Sequence, residues 1–450
     1  MDKTADKLVG YVATGAGHDL AYEDLLDLQI AGLNEKFQEQ VGQIKLIAMR
    51  AKDGGITEIK TLADVVPLLL PHTAYKSYPE SFVTEQRWDR LTKWLGTVTP
   101  YSTLNADLEG IEGIDEWGVR LERAGHFVSC SSGTTGKSAM LVASKADLEF
   151  AALDGINAIE WGSAIRRGDR RVAAGSGGAV AYTPRNAAMG QAMMAAFVDP
   201  EKPRPTNRVA PITIGSIARM IGLRKAIAEG LAKPEQIAEY EAESAARQSA
   251  LDEAREIAIE EVIARRGEKL FLTGMWASLY ALAEGVRSRG YSAKDFHPEN
   301  AIYLGGGLKR AQLPDNYREY VYETFNLSPA YIFQMYGMQE INTTMPRCQE
   351  GGRYHVPPWL VAIPLNKEGD QLVDISSGEV EARAAFFDLS MDGRWGGVIS
   401  GDRINIDFSP CACGAKSPSI RDDVVRYADL EGDDKIGCSG TVDAYVRGLS

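Results

Sequence analysis

The sequence predicts a mixed α/β fold, because short apolar runs alternate with segments of helical periodicity along the chain. The apolar runs at 271–273, 301–304 and 331–335 are short enough for buried strands, while residues 20–50 have a helical pattern. A glycine- and serine-rich stretch at 173–179 is typical of the end of a strand in such a fold, where ligands commonly bind. Together these features predict a strand-and-helix core with functional loops at strand ends.

Composition narrows the class of protein. The chain has 450 residues, 44% of them hydrophobic and 25% charged, and its formal net charge of −13 argues against a nucleic-acid-binding surface. The apolar run at 65–70 is far shorter than a membrane span, and the N-terminus lacks the apolar core of a signal peptide. Five cysteines in a chain of this length do not predict a disulfide scaffold. We therefore expect a cytoplasmic protein without nucleic-acid or membrane partners, and a homodimer is left open.

The most informative segment is 131–138, which reads Ser-Ser-Gly-Thr-Thr-Gly-Lys-Ser and lies between two apolar runs. Glycines let backbone N–H groups converge on an anion, hydroxyl groups add donors, and Lys137 supplies positive charge. The segment predicts a loop that holds the phosphates of a nucleotide.

Two other interpretations of this segment stay open at the level of sequence. Its end, Gly136-Lys137-Ser138, imitates the Walker A motif, but that motif requires glycine where the chain has Ser131. The segment also fits a simple Ser/Thr-Gly hairpin turn, which would need neither the lysine nor so many hydroxyl groups.

The segment resembles the phosphate loop of the acyl-adenylate-forming superfamily, in which two hydroxyl residues precede G-T-T-G. Lysine directly after the second glycine is most similar to the phenylacetate–CoA ligase branch, and Ser138 stands where proline is usual. The resemblance implies nucleotide binding by Ser131, Ser132, Gly133, Thr134, Thr135, Gly136 and Lys137.

A second segment, Tyr336-Gly337-Met338-Gln339-Glu340, follows the apolar run that begins at residue 330. Alone it also fits a strand-to-turn junction with a core tyrosine. It resembles the superfamily's Y-G-x-[TS]-E segment, with Gln339 in the hydroxyl position. The resemblance implies that Tyr336 and Gly337 border the adenine ring and that Glu340 binds Mg²⁺, roles that suit an aromatic face and a hard carboxylate oxygen.

Two further segments resemble the same superfamily in the same order along the chain. Gly305, Gly306 and Gly307 match a glycine-rich segment that borders the adenine and acyl sites. Asp402, in Ser400-Gly401-Asp402, matches the T-G-D segment, whose aspartate accepts hydrogen bonds from the ribose hydroxyls; alone it also fits an ordinary turn. Four motifs in order, from 131 to 402, are harder to obtain by chance than any one of them.

Cysteine and histidine spacing predicts a metal site. Cys348 and His355 lie seven residues apart, and Cys411 and Cys413 form a tight C-x-C-G turn further along. Three thiolates and one imidazole are a closed tetrahedral zinc set, which indicates a structural Zn²⁺. The alternative is a group of reduced cysteines in loops with a surface histidine.

The resemblance also implies a domain organisation: a large N-terminal adenylating domain of two packed mixed sheets flanked by helices, plus a small β-barrel-like subdomain. We expect residues 1–438 to form this domain, with a helical insertion at about 222–266 that is a surface hairpin or a coiled-coil arm. Residues 440–448 resemble the superfamily's hinge segment, with Thr441 in place of its first arginine. Residues 439–450 are then a hinge remnant, and the mobile C-terminal lid domain that follows in relatives is expected to be absent.

The expected activity is ATP-dependent conversion of a small aryl or acyl carboxylic acid to an acyl-adenylate, followed by transfer to CoA. The resemblance implies Lys137 and Glu340 as the catalytic residues, with ATP, Mg²⁺ and CoA as cofactors. The alternatives are an adenylating enzyme that passes the acyl group to an amine or a protein thiol, and a nucleotide-binding protein without turnover.

Overall fold

The computed structural model of the chain describes residues 3–130, 137–178, 183–205, 209–305, 307–308, 311–376, 378–431 and 436. The helices are α1 Thr4–Gly10, α2 Tyr22–Gln40, α3 Lys45–Asp53, α4 Leu62–Val65, α5 Ser81–Thr84, α6 Trp88–Leu95, α7 Ile114–Arg123, α8 Lys145–Gly162, α9 Pro184–Phe197, α10 Ile214–Ala228, α11 Pro234–Ala264, α12 Trp276–Ser288, α13 Tyr317–Thr324 and α14 Tyr427–Glu431. Short 3-10 helices include Tyr11–Ala13, Ala16–Asp19, Val66–Leu68 and His72–Lys76.

The strands are β1 Leu70–Pro71, β2 Phe127–Cys130, β3 Met140–Ala143, β4 Val172–Gly175, β5 Leu270–Gly274, β6 Ala301–Leu304, β7 Ile332–Tyr336, β8 Met345–Pro346, β9 Tyr354–His355, β10 Leu360–Ala362, β11 Glu379–Asp388, β12 Gly397–Asp407, β13 Ser419–Ile420 and β14 Val425–Arg426. The chain divides into two compact units, each described here by itself. The first unit comprises Met1–Asp154, Thr183–Ala188 and Gly337–Ser450, and the second comprises Gly155–Tyr182 and Met189–Tyr336.

The second unit is built on the parallel strands β4, β5, β6 and β7, which pair in that order. Successive side chains of a strand point to opposite faces of the sheet, so the two faces bury different residues. Leu272 and Ile302 belong to one hydrophobic cluster, while Phe271 and Phe333 belong to the other. Burial on both faces explains why these strands are continuously apolar in the sequence. The strands expected from the three apolar runs are confirmed.

Helices α10 and α11 of the second unit occupy the stretch in which a helical insertion was expected. None of residues 234–253 of α11 is buried, and its buried side chains are confined to the segment from Ala254 to Val262. An ion pair joins Arg219 of α10 to Glu243 of α11 at 3.7 Å.

The first unit contains a seven-stranded sheet with the order β10-β11-β12-β13-β9, in which β1 and β14 also pair with β12. The long antiparallel pair β11–β12 is interrupted by a bulge between Arg383 and Ala385. Strand β1 runs parallel to β12, and β14 pairs antiparallel with it, placing Arg426 opposite Asp402. Strand β9 pairs with β13, placing His355 opposite Ser419. The sheet therefore determines the position of two of the predicted site residues.

A separate antiparallel hairpin, β2–β3, carries the predicted phosphate loop, with Cys130 opposite Met140. Ser144 precedes α8 and caps it: its Oγ accepts a hydrogen bond from the Asp147 amide at 3.2 Å, and its own amide donates to Asp147 Oδ2 at 2.8 Å. The mixed α/β class predicted from the sequence is confirmed.

Candidate functional site

The predicted phosphate loop lies in the sequence between two antiparallel strands, β2 and β3. A Walker A loop instead leads from a strand directly into a helix, so this context excludes the Walker interpretation. The connection from Cys130 to Met140 spans residues 131–139, which is long for a tight hairpin turn, for which two to five residues suffice. Residues 131–136, which include most of the predicted phosphate contacts, lie outside the described residues.

Lys137 lies at the end of this loop against Tyr78. Its ammonium group donates a hydrogen bond to the Tyr78 carbonyl oxygen and sits 4.7 Å from the centre of the Tyr78 ring. The Tyr78 hydroxyl donates to the Ser138 carbonyl oxygen at 2.9 Å, and the Tyr78 ring packs edge-to-face on Trp94. Burial raises the pKa of Tyr78, which keeps its hydroxyl protonated and able to donate. Tyr78 thus holds both Lys137 and the start of β3.

Glu340 is half-buried near the 3-10 helix His72–Lys76. Burial raises the pKa of Tyr75 to about 12, and the Glu340 carboxylate adds to the increase while Arg394 opposes it. Burial lowers the pKa of Lys76, and Glu340 opposes that change. The carboxylate therefore lies near two cationic side chains, Lys76 and Arg394, whose charge would attract an anionic phosphate.

Gln339, which replaces the hydroxyl residue of the superfamily segment, is held by its backbone and side chain. Its carbonyl oxygen accepts a hydrogen bond from Arg394 Nη2 at 2.8 Å. Its amide nitrogen Nε2 donates to Asn186 Oδ1 at 3.4 Å. The Arg394 guanidinium also donates to the Val142 carbonyl oxygen at 2.7 Å, which connects the Gln339–Glu340 turn to strand β3.

Asp402 lies in β12 with its side chain 13% exposed. Its Oδ2 accepts a hydrogen bond from Ser400 Oγ at 2.9 Å, and the Ser400 Oγ accepts one from the Asp402 amide at 3.2 Å. Oδ1 lies 3.7 Å from Nε of Arg426, whose side chain is mostly exposed. These local bonds orient the Asp402 carboxylate within β12.

In the second unit, Gly305 and Tyr336 lie at the carboxyl ends of the adjacent parallel strands β6 and β7. The register pairs Leu304 with Gln334, so both residues belong to the same edge of this sheet. Gly307 follows close by, and Gly306 lies outside the described residues. This edge is the usual ligand-binding position of a parallel sheet.

The predicted metal ligands come together in the first unit. The ligand atoms of Cys348, His355, Cys411 and Cys413 all lie within 4.8 Å of one another. The Cys348 and Cys411 sulfurs are 3.8 Å apart, and the Cys413 sulfur is 3.5 Å from His355 Nε2. Tetrahedral Zn²⁺ with Zn–S of about 2.3 Å and Zn–N of about 2.05 Å requires separations of about 3.8 Å and about 3.5 Å. The donor set and its spacing therefore fit zinc.

Local backbone structure presents these ligands to one point. The Cys411 amide donates to the Ala415 carbonyl oxygen at 2.9 Å, and Gly414, at φ +90°, donates to the Cys411 carbonyl oxygen at 2.9 Å. This tight turn lies between β12 and β13, and β13 pairs with β9, which carries His355. His355 is fully buried, so the surface histidine of the alternative interpretation is wrong.

Gly351 makes room for the sulfur atoms. A Cβ at this position would collide with Cys411 Sγ and lie 3.1 Å from Cys348 Sγ. We expect Gly351→Ala to displace both sulfurs and weaken metal binding on the order of tenfold or more, because first-sphere geometry is disturbed. Competition with a chromogenic chelator measures the metal affinity of the variant. Gly42→Ala is the matched control, since a Cβ at Gly42 meets nothing within 4 Å; equal affinity in the two variants would contradict the expectation.

Several residues of these sites escaped prediction. Tyr78, Arg426, His18 and Ser417 contact predicted site residues through side chains far apart in sequence, and no motif marks them. Only Tyr78 carries a signal, since it lies in an aromatic stretch upstream of the loop.

Among the described residues, no helix combines the length and apolar character needed to cross a membrane.

Two crystal structures of a 2-hydroxyisobutyryl-CoA ligase resemble the chain. One, an open conformation in complex with 2-HIB-AMP and CoA, has a TM-score of 0.55 and 11% sequence identity, with 92% of this chain and 75% of that chain covered. The other, in the postadenylation state in complex with R3-HIB-AMP, has a TM-score of 0.53 and 11% identity, with 92% and 73% covered. No protein-family model and no curated protein sequence matches the chain. The chain shares the fold of these ligase structures, so the fold that the sequence resemblance implies is confirmed.

Proposed function

We propose that the chain uses ATP to convert a carboxylic acid to an acyl-adenylate and then transfers the acyl group to CoA. The observation that carries the proposal is the coincidence of fold and motif order: four nucleotide-binding motifs occur in the superfamily's order on the superfamily's fold. One of the similar structures is that of a 2-hydroxyisobutyryl-CoA ligase in complex with 2-HIB-AMP and CoA, which supports the proposal.

The roles of the residues follow from the charges that develop. A carboxylate oxygen of the acid attacks the α-phosphorus of ATP, and the bond to the β-phosphate oxygen breaks to release pyrophosphate. Lys137 and the amides and hydroxyls of the loop 131–136 hold the β- and γ-phosphates, because cations and N–H donors offset phosphate charge. Asp402 accepts hydrogen bonds from the ribose hydroxyls, and Tyr336 lies against the adenine ring. Glu340 would hold Mg²⁺, which would supply positive charge to offset that of the phosphates.

In the second step the CoA thiol, as thiolate, attacks the acyl carbonyl carbon, and AMP leaves with the bridging oxygen. The small residues Ala174, Gly175 and Gly305 lie at the carboxyl ends of β4 and β6. Such an edge leaves space for an acyl group, and we propose an aryl or acyl acid as substrate, as in the phenylacetate–CoA ligase branch that the loop resembles. Residues 1–438 form the large adenylating domain in this proposal, and 439–450 form its hinge segment.

We further propose that Cys348, His355, Cys411 and Cys413 hold a structural Zn²⁺. Four protein ligands close the tetrahedron and leave no position for a substrate, which is the property that separates structural from catalytic zinc sites. The site would join the segment after Glu340 to the loop between β12 and β13. Asp402 lies on β12. The proposed Zn²⁺ would therefore stabilise the proposed nucleotide-binding region.

Acid-dependent exchange of labelled pyrophosphate into ATP tests adenylation. A panel of aliphatic and aryl acids is expected to include some that support exchange, with none in the absence of acid. Exchange with no member of the panel by a chain that binds ATP would favour a nucleotide-binding protein without turnover.

Adding CoA to the acids that support exchange tests the acceptor. We expect a thioester that liquid chromatography resolves, with AMP formed in equal amount. Exchange without a thioester would contradict CoA as acceptor and would favour transfer to an amine or a protein thiol.

A further inference from the structure

A buried hydrogen-bonded chain connects the cysteine–histidine cluster to a segment near the N-terminus. Ser417 Oγ lies 3.2 Å from Nδ1 of His355 and 3.1 Å from Nδ1 of His18. His355 and Ser417 are fully buried, and His18 is 7% exposed. The two imidazole rings also meet edge-to-face, with centroids 5.8 Å apart. The three side chains thus form one connected unit beside the metal ligands.

Metal binding by His355 would determine which group donates and which accepts in each hydrogen bond of this unit. His355 presents Nε2 to the cluster, so a metal-bound His355 carries its remaining proton on Nδ1. That N–H donates to Ser417 Oγ. The Ser417 hydroxyl has one proton, which it donates to His18 Nδ1. Both Nδ1 atoms and the Ser417 hydroxyl are paired in this arrangement, and the ring of the proposed metal ligand is held in a single tautomer and orientation.

Backbone contacts fix His18 on the other side. Its carbonyl oxygen accepts hydrogen bonds from the Lys416 amide at 2.8 Å and the Ser417 amide at 3.2 Å. The preceding residue, Gly17, lies so close to Pro358 that a Cβ would be 2.7 Å from the proline Cδ. Residues 11–20, which we call the N-terminal strap, are therefore docked directly on the turn that carries Cys411 and Cys413.

We propose that His18 and Ser417 are positioning residues of the metal site and that the bound metal, in turn, holds the N-terminal strap in place. The inference rests on the proposed Zn²⁺ site. Orienting the imidazole raises metal affinity, and thermodynamic linkage requires the metal to stabilise strap docking by the same free energy. The strap is thus part of the metal site although no ligand comes from it.

Zinc affinity of the full-length chain, measured by competition with a chelator, tests the positioning role. His18→Phe keeps a ring but removes the acceptor, and we expect zinc affinity to fall about 10- to 100-fold. His18→Asn places an amide oxygen near the position of Nδ1 and is expected to restore most of the loss. Ser417→Ala removes the bridging hydroxyl alone and is expected to lower zinc affinity as much as His18→Phe does. This second variant tests the positioning role even if His18→Phe does not fold.

His126→Phe is the matched control, because His126 is a buried histidine of the same unit whose Nε2 lies 3.1 Å from the Ser102 carbonyl oxygen and 3.2 Å from Asn105 Oδ1. It should lose stability while zinc affinity stays unchanged. Wild-type affinity in both His18→Phe and Ser417→Ala, or an equal loss in His126→Phe, would overturn the positioning role.

Hydrogen exchange, read by mass spectrometry with and without zinc, tests the coupling. Removing zinc with a chelator is expected to speed exchange in peptides that cover 11–20 and 415–420, while the hairpin β2–β3 keeps its protection. Unchanged exchange in the strap would overturn the coupling. A wild-type chain that neither contains nor binds zinc would instead refute the proposed metal site and the inference with it, whereas zinc binding that is insensitive to His18 and Ser417 would refute the inference alone.

Discussion

Cys411→Ala is expected to abolish binding of the proposed Zn²⁺ and to lower the free energy of unfolding on the order of 4 kcal/mol. Loss of a structural metal belongs to the few single-residue changes with effects of this size, because the ligand-binding free energy contributes directly to folding. The three remaining ligands would keep their sulfur and nitrogen atoms crowded within the same few ångströms without the cation that neutralises them. Differential scanning calorimetry and metal analysis of the same sample measure both effects.

Cys130→Ala provides the control for this prediction. Cys130 is a buried thiol at the end of β2, and burial raises the pKa of that thiol to about 12, so it behaves as a small apolar side chain. We expect it to keep the metal and to lose about 1 kcal/mol. If both alanine variants retained the wild-type metal content and unfolding midpoint, Cys411 would not be a ligand.

Lys137→Ala is expected to reduce acid-dependent pyrophosphate exchange on the order of 100-fold, which corresponds to about 2.7 kcal/mol of transition-state stabilisation. The lysine is the one cationic side chain of the phosphate loop segment 131–138, and no neighbouring residue of that segment can replace its charge. In the structure its ammonium contacts Tyr78, so the variant also loses a cation–π contact of about 1 kcal/mol, too little to unfold the chain.

Lys145→Ala is the matched control for charge. Lys145 begins α8, its side chain is 81% exposed, and its ammonium lies 3.5 Å from Glu149. Its loss should leave exchange and ATP affinity unchanged. Wild-type exchange in Lys137→Ala would remove the phosphate-binding role from this residue and would count against the loop as the ATP site.

The sequence predicts the parallel core well, because strands that are buried on both faces are continuous apolar runs in the sequence. The apolar run at 301–304, for example, has the same bounds as β6. Cys348, His355, Cys411 and Cys413 are predictable for a different reason: thiol and imidazole groups at these spacings have one well-known shared chemistry. Both signals are local, or depend on residue type alone.

Contacts between distant segments are not predictable in this way. His18 reaches Ser417 across 399 residues, where its carbonyl oxygen accepts hydrogen bonds from the Lys416 and Ser417 amides, and no local pattern encodes this contact. Tyr78 likewise meets Lys137 across 59 residues. The serine, histidine and tyrosine involved are common residue types, and their roles arise only when the sheet of the first unit brings the segments together.

Transfer of oxygen from the acid to AMP tests the central claim most directly. A carboxylic acid that supports exchange, labelled with ¹⁸O in both carboxyl oxygens, is incubated with the chain, ATP, Mg²⁺ and CoA, and the nucleotide product is analysed by mass spectrometry. Attack of the carboxylate on the α-phosphorus predicts AMP that carries one ¹⁸O atom, because AMP leaves with the bridging oxygen. Unlabelled AMP, or ADP accompanied by labelled inorganic phosphate, would contradict an acyl-adenylate.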